Sequence, residues 1–170
     1  MSEMRPGTLA DIRVAALAVK GQIRQITGHW SAGRYVPNAT DLKDYHVLIL
    51  QDGSYLYRDD FAEVLAHTWH DNTGNIGVAF AGCFEATTEN LGPYAPTEAQ
   101  IAAMALAVRT ICDALEEAVD DLFKTHCEQA LIDGYGPGSG DEQTRWDLWF
   151  IRDGEEQGTG GDQIRRLAAA

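Results

Sequence analysis

Five histidines, His29, His46, His67, His70 and His126, are the scarce chemical groups of this 170-residue chain. Neutral imidazole and carboxylate can together hold a zinc-type ion, and a catalytic site of that kind uses three protein ligands and keeps one position open. No local metal motif such as HExxH occurs, so any such site must be assembled from distant segments. His29 falls where a predicted strand gives way to a glycine-containing loop, and His126 falls at the end of another. Strand ends of that kind are where αβ scaffolds expose working side chains. For any one histidine alone, a hydrogen-bonded structural role is the ordinary expectation. The glycine-rich run Gly136-Pro137-Gly138-Ser139-Gly140 lacks a P-loop lysine and gives no support to a nucleotide site.

The elements that must position these groups follow from periodicity and punctuation. Ile12, Ala15, Ala16 and Val19 recur at helical spacing behind Thr8, which predicts a short capped helix over Thr8 to Val19. Ile23 to Trp30 reads as a strand, and Tyr45 to Leu50 as a dense apolar one. Asp52-Gly53 supplies the positive φ of a tight turn, so Tyr55-Leu56-Tyr57 returns as a hairpin partner. Ile76 to Gly82 is a further strand, expected to be central. Thr97-Glu98-Ala99-Gln100 spells a capping box before an apolar face of Ile101, Met104, Ala105, Val108, Ile111, Cys112 and Leu115, with an end expected near Val119. Phe123 to Cys127 reads as a short strand, Gly134 to Gln143 as a loop and Trp146 to Ile151 as an ordered segment. The pattern predicts an α/β fold: one domain with a central mixed sheet of four to six strands flanked by two or three helices. Residues 1–21 should form an N-terminal segment of that domain, 22–152 its core and 153–170 a polar C-terminal tail.

Composition bounds the partners. Thirteen Lys and Arg against 26 Asp and Glu leave a net charge of −13, which repels a phosphate backbone and argues against nucleic acid or an anionic surface as partner. Apolar runs such as Val47-Leu48-Ile49-Leu50 are far too short to span a bilayer, so no stable membrane insertion is expected. Cys83, Cys112 and Cys127 form no CxxC pair and leave at least one thiol free in a monomer, the oligomeric state expected here, which favours a reducing compartment. The polar start of the chain shows no secretory signal. Cytoplasmic synthesis is therefore expected.

Five short segments then occur in a telling order. They are Thr27-Gly28-His29-Trp30, Tyr45-His46-Val47-Leu48-Ile49 with Gln51-Asp52-Gly53, Ala66-His67-Thr68-Trp69-His70-Asp71-Asn72, Asn75-Ile76-Gly77-Val78, and Lys124-Thr125-His126. Over roughly residues 22–150 the chain resembles the zinc-dependent N-acetylmuramoyl-L-alanine amidases, the family of amidase-type phage lysozymes and peptidoglycan-recognition proteins. The resemblance implies a Zn(2+) cofactor, with His29 and His126 as two metal ligands. It implies Asp147 as the third, because Arg145-Trp146-Asp147 places a basic residue two positions ahead of the ligand, where lysine is usual. Tyr45 and Arg145 become the catalytic side chains. Trp30, His67, Trp69, His70 and Asn72 become candidates for lining a substrate groove, and His46 a structural histidine turned away by strand alternation.

Two departures stand out. His126 and Asp147 lie 21 positions apart, about twice the family's usual spacing. A longer loop costs little closure entropy, but it leaves Glu128, Asp133 and Asp141 as alternative third ligands. Cys127 would point to the opposite face of a strand from His126. Members with a glutamate two residues after the Ile-Gly pair have their counterpart here in Ala79. The implied activity is hydrolysis of the amide between N-acetylmuramic acid and L-alanine, on peptidoglycan or a muropeptide. Two settings fit: wall lysis after release through holin-type pores, or recycling of fragments within the cytoplasm. A non-catalytic peptidoglycan-binding module is the competing reading, distinguished by the completeness of the ligand set.

Overall fold

A computed structural model describes residues 2–170. Six strands form one mixed sheet: β1 (Arg5–Gly7), β2 (Gln25–Trp30), β3 (Val47–Ile49), β4 (Tyr55–Tyr57), β5 (Asn75–Phe80) and β6 (Phe123–Thr125). Their spatial order is β1-β4-β3-β5-β2-β6. The β3–β4 hairpin closes through Gly53 at φ +85°, as the Asp-Gly pair requires. β3, β5, β2 and β6 run parallel, with His29 opposite Ala79 and Gly28 opposite Thr125. In parallel sheets, ligands bind beyond the carboxyl ends of the strands, and here those ends carry Trp30, Phe80 and Thr125.

Helices cover the sheet as their apolar faces dictate. α1 (Leu9–Ala18) opens on a Thr8–Asp11 capping box, and α3 (Glu98–Leu115) on the Thr97–Gln100 box. Every residue of the α3 face read from the sequence is buried. They pack with Ile26, Val47, Ile49, Ile76, Val78 and Phe80 from one side of the sheet, and this cluster is the main core. Short helices α2 (Asp41–Asp44) and α4 (Val119–Leu122), then α5 (His126–Asp133) and α6 (Gly160–Ala169), complete the set. Among the described residues, no helix is long and apolar enough to cross a membrane. The three cysteines are buried free thiols.

The structure departs from the sequence expectations at four places. α3 stops at Leu115, where Glu116 turns into the left-handed region at φ 61°, and α4 follows rather than a continued helix to Val119. The strand begun at Phe123 ends at Thr125, and His126 starts α5. Thr125 caps that helix and Glu128 closes the box. Arg5–Gly7, read only as polar chain, pairs antiparallel with β4 as an edge strand. Residues 153–170 are no polar tail: α6 buries Ile164 and Ala168 against the core and lies along α3 and β6. Arg152 locks its approach to the N-terminal turn of α3 through Glu98, at 2.6 Å.

Candidate metal centre

The opposite side of the sheet is also buried, with a small apolar cluster of Leu48, Ala79 and Ala81 and, beside it, a polar patch. Gln25, Thr27, His29 and Asn75 point there from β2 and β5, and Gln25 Nε2 donates to Thr27 Oγ1, which donates to Asn75 Oδ1 at 3.0 Å. At the carboxyl end of this face, His29, His126 and Asp147 bring one donor atom each within 4.8 Å of one another, all three buried. His29 Nδ1 lies 2.9 Å from Asp147 Oδ2, and His126 Nδ1 3.1 Å from Asp147 Oδ1. Two ligands of one tetrahedral zinc stand roughly 3.3 Å apart, so these separations suit a shared ion.

Distant segments converge here for local reasons. Gly28 has no side chain, and a β-carbon there would lie 2.9 Å from both Leu148 and Phe123, so those two residues close directly onto β2. Leu148, fully buried with φ 62°, follows Asp147 and pins the loop. The 21-residue gap is filled by the eight residues of α5 going out and a loop returning. Arg145 N donates to Tyr135 O at 3.0 Å, and Cys127 N to Asp147 O at 3.3 Å.

Tautomers decide what the site can hold. His67 Nε2 faces the Asn75 carbonyl at 3.2 Å and must carry its proton there. Its bare Nδ1 therefore offers one lone pair, shared between Thr68 Oγ1 at 2.9 Å and His29 Nε2 at 3.1 Å, and Thr68 Oγ1 is a second acceptor 3.4 Å from His29 Nε2. With its proton on Nε2, neutral His29 presents a lone pair at Nδ1 to a carboxylate oxygen 2.9 Å away. Two facing lone pairs repel, and a cation between them removes the conflict. Burial holds the His29 pKa down to about 4, so the imidazole is neutral at pH 7, as a ligand must be. Burial raises the Asp147 carboxyl, and a proton on His126 or His29 in place of the ion outweighs it and holds the carboxyl well below the usual range, so Asp147 is an anion either way. His126 Nε2 faces the Tyr135 hydroxyl at 3.4 Å, an acceptor for its remaining proton. Outer partners of this sort orient metal-binding histidines and raise their basicity. The donor set fits a divalent ion.

The alternative third ligands are engaged elsewhere or lie outside the cluster. Glu128 sits in the first turn of α5 and takes two contacts from Arg165 of α6, at 2.5 and 3.0 Å. Asp133 accepts from Gln129, and Asp141 is an exposed turn residue. Cys127 is also on α5 and outside the metal-competent group.

A cleft of ≈ 1150 Å³ opens over the centre. Tyr45 lines it, its ring 5.3 Å from that of His29, and burial raises its pKa so that the phenol stays protonated. Arg145 lines it too, exposed, with one guanidinium nitrogen donating to Gln143 O at 2.7 Å and no ion pair among the described residues. Of the groove candidates, Trp69 is 61% exposed at the cleft wall, and Trp30 also lines the cleft but is buried against Trp146. His67 is buried beside His29 and lines the floor of the cleft. Asn72 lines the cleft, but its side-chain oxygen accepts from the His67 and Thr68 backbone N–H groups. His70 is exposed, packs on Trp69 and is not part of the cleft wall. His46 is fully buried: Nε2 donates to Glu63 O at 2.9 Å and Nδ1 accepts from Gly77 N at 3.0 Å. Tyr135 was not singled out from the sequence, because an aromatic in a glycine-rich loop carries no periodic signal.

The family model described as N-acetylmuramoyl-L-alanine amidase matches residues 14–139, and the chain belongs to that family. Membership confines the function to cleaving or binding peptidoglycan. Among solved structures, the chain is similar to the endolysin amidase LysCS from Clostridium intestinale, at 18% identity over 63% of this chain and 70% of that one, with a TM-score of 0.48. It is also similar to the Ph2119 endolysin from a Thermus scotoductus bacteriophage, at 20% identity over 63% and 73%, with the same TM-score. Drosophila peptidoglycan recognition protein SA matches at 17% identity over 63% and 69%, again at 0.48. No curated protein sequence gives a significant match.

Proposed function

We propose that this protein is a zinc-dependent N-acetylmuramoyl-L-alanine amidase that cuts the bond between N-acetylmuramic acid and the L-alanine of the stem peptide. The observation that carries the reading is the complete ligand set. His29, His126 and Asp147 converge, and the second nitrogen of each histidine already faces a hydrogen-bond acceptor. A purely recognising relative has no use for three buried ligands so arranged, which favours hydrolysis over binding alone. Bound zinc supplies an activated water and a Lewis acid for the scissile carbonyl.

The chain's own groups supply the rest. Arg145 brings a permanent positive charge to the cleft, suited to the negative charge that develops on the carbonyl oxygen. Tyr45, held neutral, offers a phenolic O–H to orient substrate beside His29. Ala79, opposite His29 in the sheet, presents a methyl group where some members have a carboxylate. The cleft's volume lies above the roughly 300–1,000 Å³ of ordinary small-ligand pockets, which suits an extended glycopeptide. Metal analysis of the purified protein, with release of L-alanine amino termini from cell wall, tests the reading. Stoichiometric zinc with no new amino termini would leave a binding module.

A further inference from the structure

Arg58 is the largest fully buried side chain, a charged one, and no step above uses it. A guanidinium has five N–H donors and loses its hydration on burial, so each needs an acceptor. All five have one. Nε donates to Tyr45 O at 3.1 Å, and one terminal nitrogen donates to Leu42 O at 2.7 Å and Lys43 O at 3.2 Å. The other donates to Ser2 O and meets Glu63 Oε2 at 3.4 Å. Its backbone N–H also donates to His46 O, at 2.9 Å. Three of these acceptors are carbonyls of one short stretch, residues 42–45, where α2 runs into β3.

Other side chains hold only the amino end of that stretch, where Asn38 Oδ1 accepts from the Thr40 and Asp41 N–H groups and Asp41 accepts from Asn38 N. Past it, α2 is only four residues long and the Leu42 and Lys43 side chains are exposed, so the carbonyls of 42, 43 and 45 are gathered by Arg58. Among the described residues, the Tyr45 hydroxyl finds only Trp30 O, at 3.4 Å. We propose that Arg58 is a positioning residue for the amidase reaction: its guanidinium fastens the 42–45 backbone and thereby fixes the Tyr45 ring over His29. The proposal rests on the catalytic reading of Tyr45. Lysine cannot replace Arg58, because three tetrahedral donors cannot serve five acceptors spread around a planar fork.

A double-mutant cycle on the zinc-loaded full chain tests it. Arg58→Lys should lower kcat about tenfold with KM within about twofold, and should cost less than about twofold once Tyr45→Phe is in place, because coupled residues are not additive. Zinc content should not change. Glu63→Gln, a milder loosening of the same guanidinium, should repeat the pattern at about threefold if Arg58→Lys does not fold. Independently of turnover, the Tyr45 ring signals in NMR should shift or broaden in Arg58→Lys or Glu63→Gln while those of Tyr55 stay in place. Equal kcat losses with and without Tyr45→Phe in the background, or an unmoved Tyr45 signal, would overturn the positioning role. A wild type that binds zinc without hydrolysing the wall would instead overturn the function, and the ring signals would still decide whether Arg58 holds Tyr45.

Discussion

Along β2 and β5, the same two strands build an apolar face from Ile26, Ile76, Val78 and Phe80 and a polar face from Gln25, Thr27, His29 and Asn75. Both faces are fully buried. Apolar burial is non-directional, so the first face stabilises the fold in proportion to area and tolerates substitutions that keep volume. Polar burial is costly unless each group is paired, and pairing is directional. The second face therefore dictates proton positions: Asn75 O sets the His67 tautomer, and His67 sets that of His29. Changes on one face should read as stability and on the other as metal affinity and rate.

The largest test of that division is Asp147→Ala. It should release zinc and, since a Lewis acid contributes several kcal/mol to such a reaction, cost about 10³-fold or more in hydrolysis. Glu128→Ala, in the first turn of α5, should keep the metal and lose only about 1 kcal/mol of stability through its cap and Arg165. Metal titration and chemical denaturation of both variants check this. Zinc retained by Asp147→Ala and lost by Glu128→Ala would reassign the third ligand.

Arg145→Ala should come next. It should leave zinc and fold intact but lower kcat by about 10²–10³-fold, the scale for one oxyanion-stabilising donor. Arg145→Lys should recover part of the loss. Initial rates with zinc content measured in the same samples decide it, and a change under about threefold would reduce Arg145 to an exposed surface charge.

The two faces also differ in how far they can be read from sequence. The apolar face is legible because its residues recur at strand and helix periods and are punctuated by Thr97, Thr8 and Asp52-Gly53. The proposed metal ligands have no local motif, and only the order of the amidase-like segments locates them. α5 reads as strand because His126-Cys127-Glu128 follows β6 without a break, although Thr125 and Glu128 spell a capping box. α6 escapes notice because Gly160 and Gly161 begin it and only Ile164, Leu167 and Ala168 mark its apolar side. Arg58 is invisible in the sequence, since one arginine after a strand says nothing of which carbonyls will surround it.

Acid should weaken the polar face selectively. Burial holds His46 at about 4, with Arg58 pushing the same way and Glu63 and Asp60 opposing. The unfolded chain takes up that proton near 6.5, so between pH 6.5 and 4 it binds more protons than the folded one. Stability is then full above about pH 6.5 and falls as pH drops, by on the order of 3 kcal/mol from this group at pH 4. His29 and His67 are depressed in the same direction, so the total loss is larger. Denaturation midpoints against pH for wild type and His46→Gln isolate the His46 share. Parallel curves would show that His46 does not titrate on unfolding.

The smallest effects come from neighbours on opposite faces, Ile76 and Gly77. A β-carbon at Gly77 would lie 2.9 Å from the His67 ring, which rests directly on this glycine. Gly77→Ala should therefore displace His67, remove the acceptor for His29 Nε2, and weaken zinc binding by about 10- to 100-fold, the scale for lost outer partners of a metal ligand. Ile76 is fully buried in the apolar cluster. Ile76→Val should cost about 1 kcal/mol of stability and leave zinc affinity within about twofold. Competition with a chromophoric chelator gives the affinities, and urea denaturation of the metal-free proteins gives the stabilities. If Gly77→Ala lost stability but kept its zinc affinity, His67 would be filling space beneath His29 rather than fixing its proton, and the directional character assigned to this face would fail at its centre.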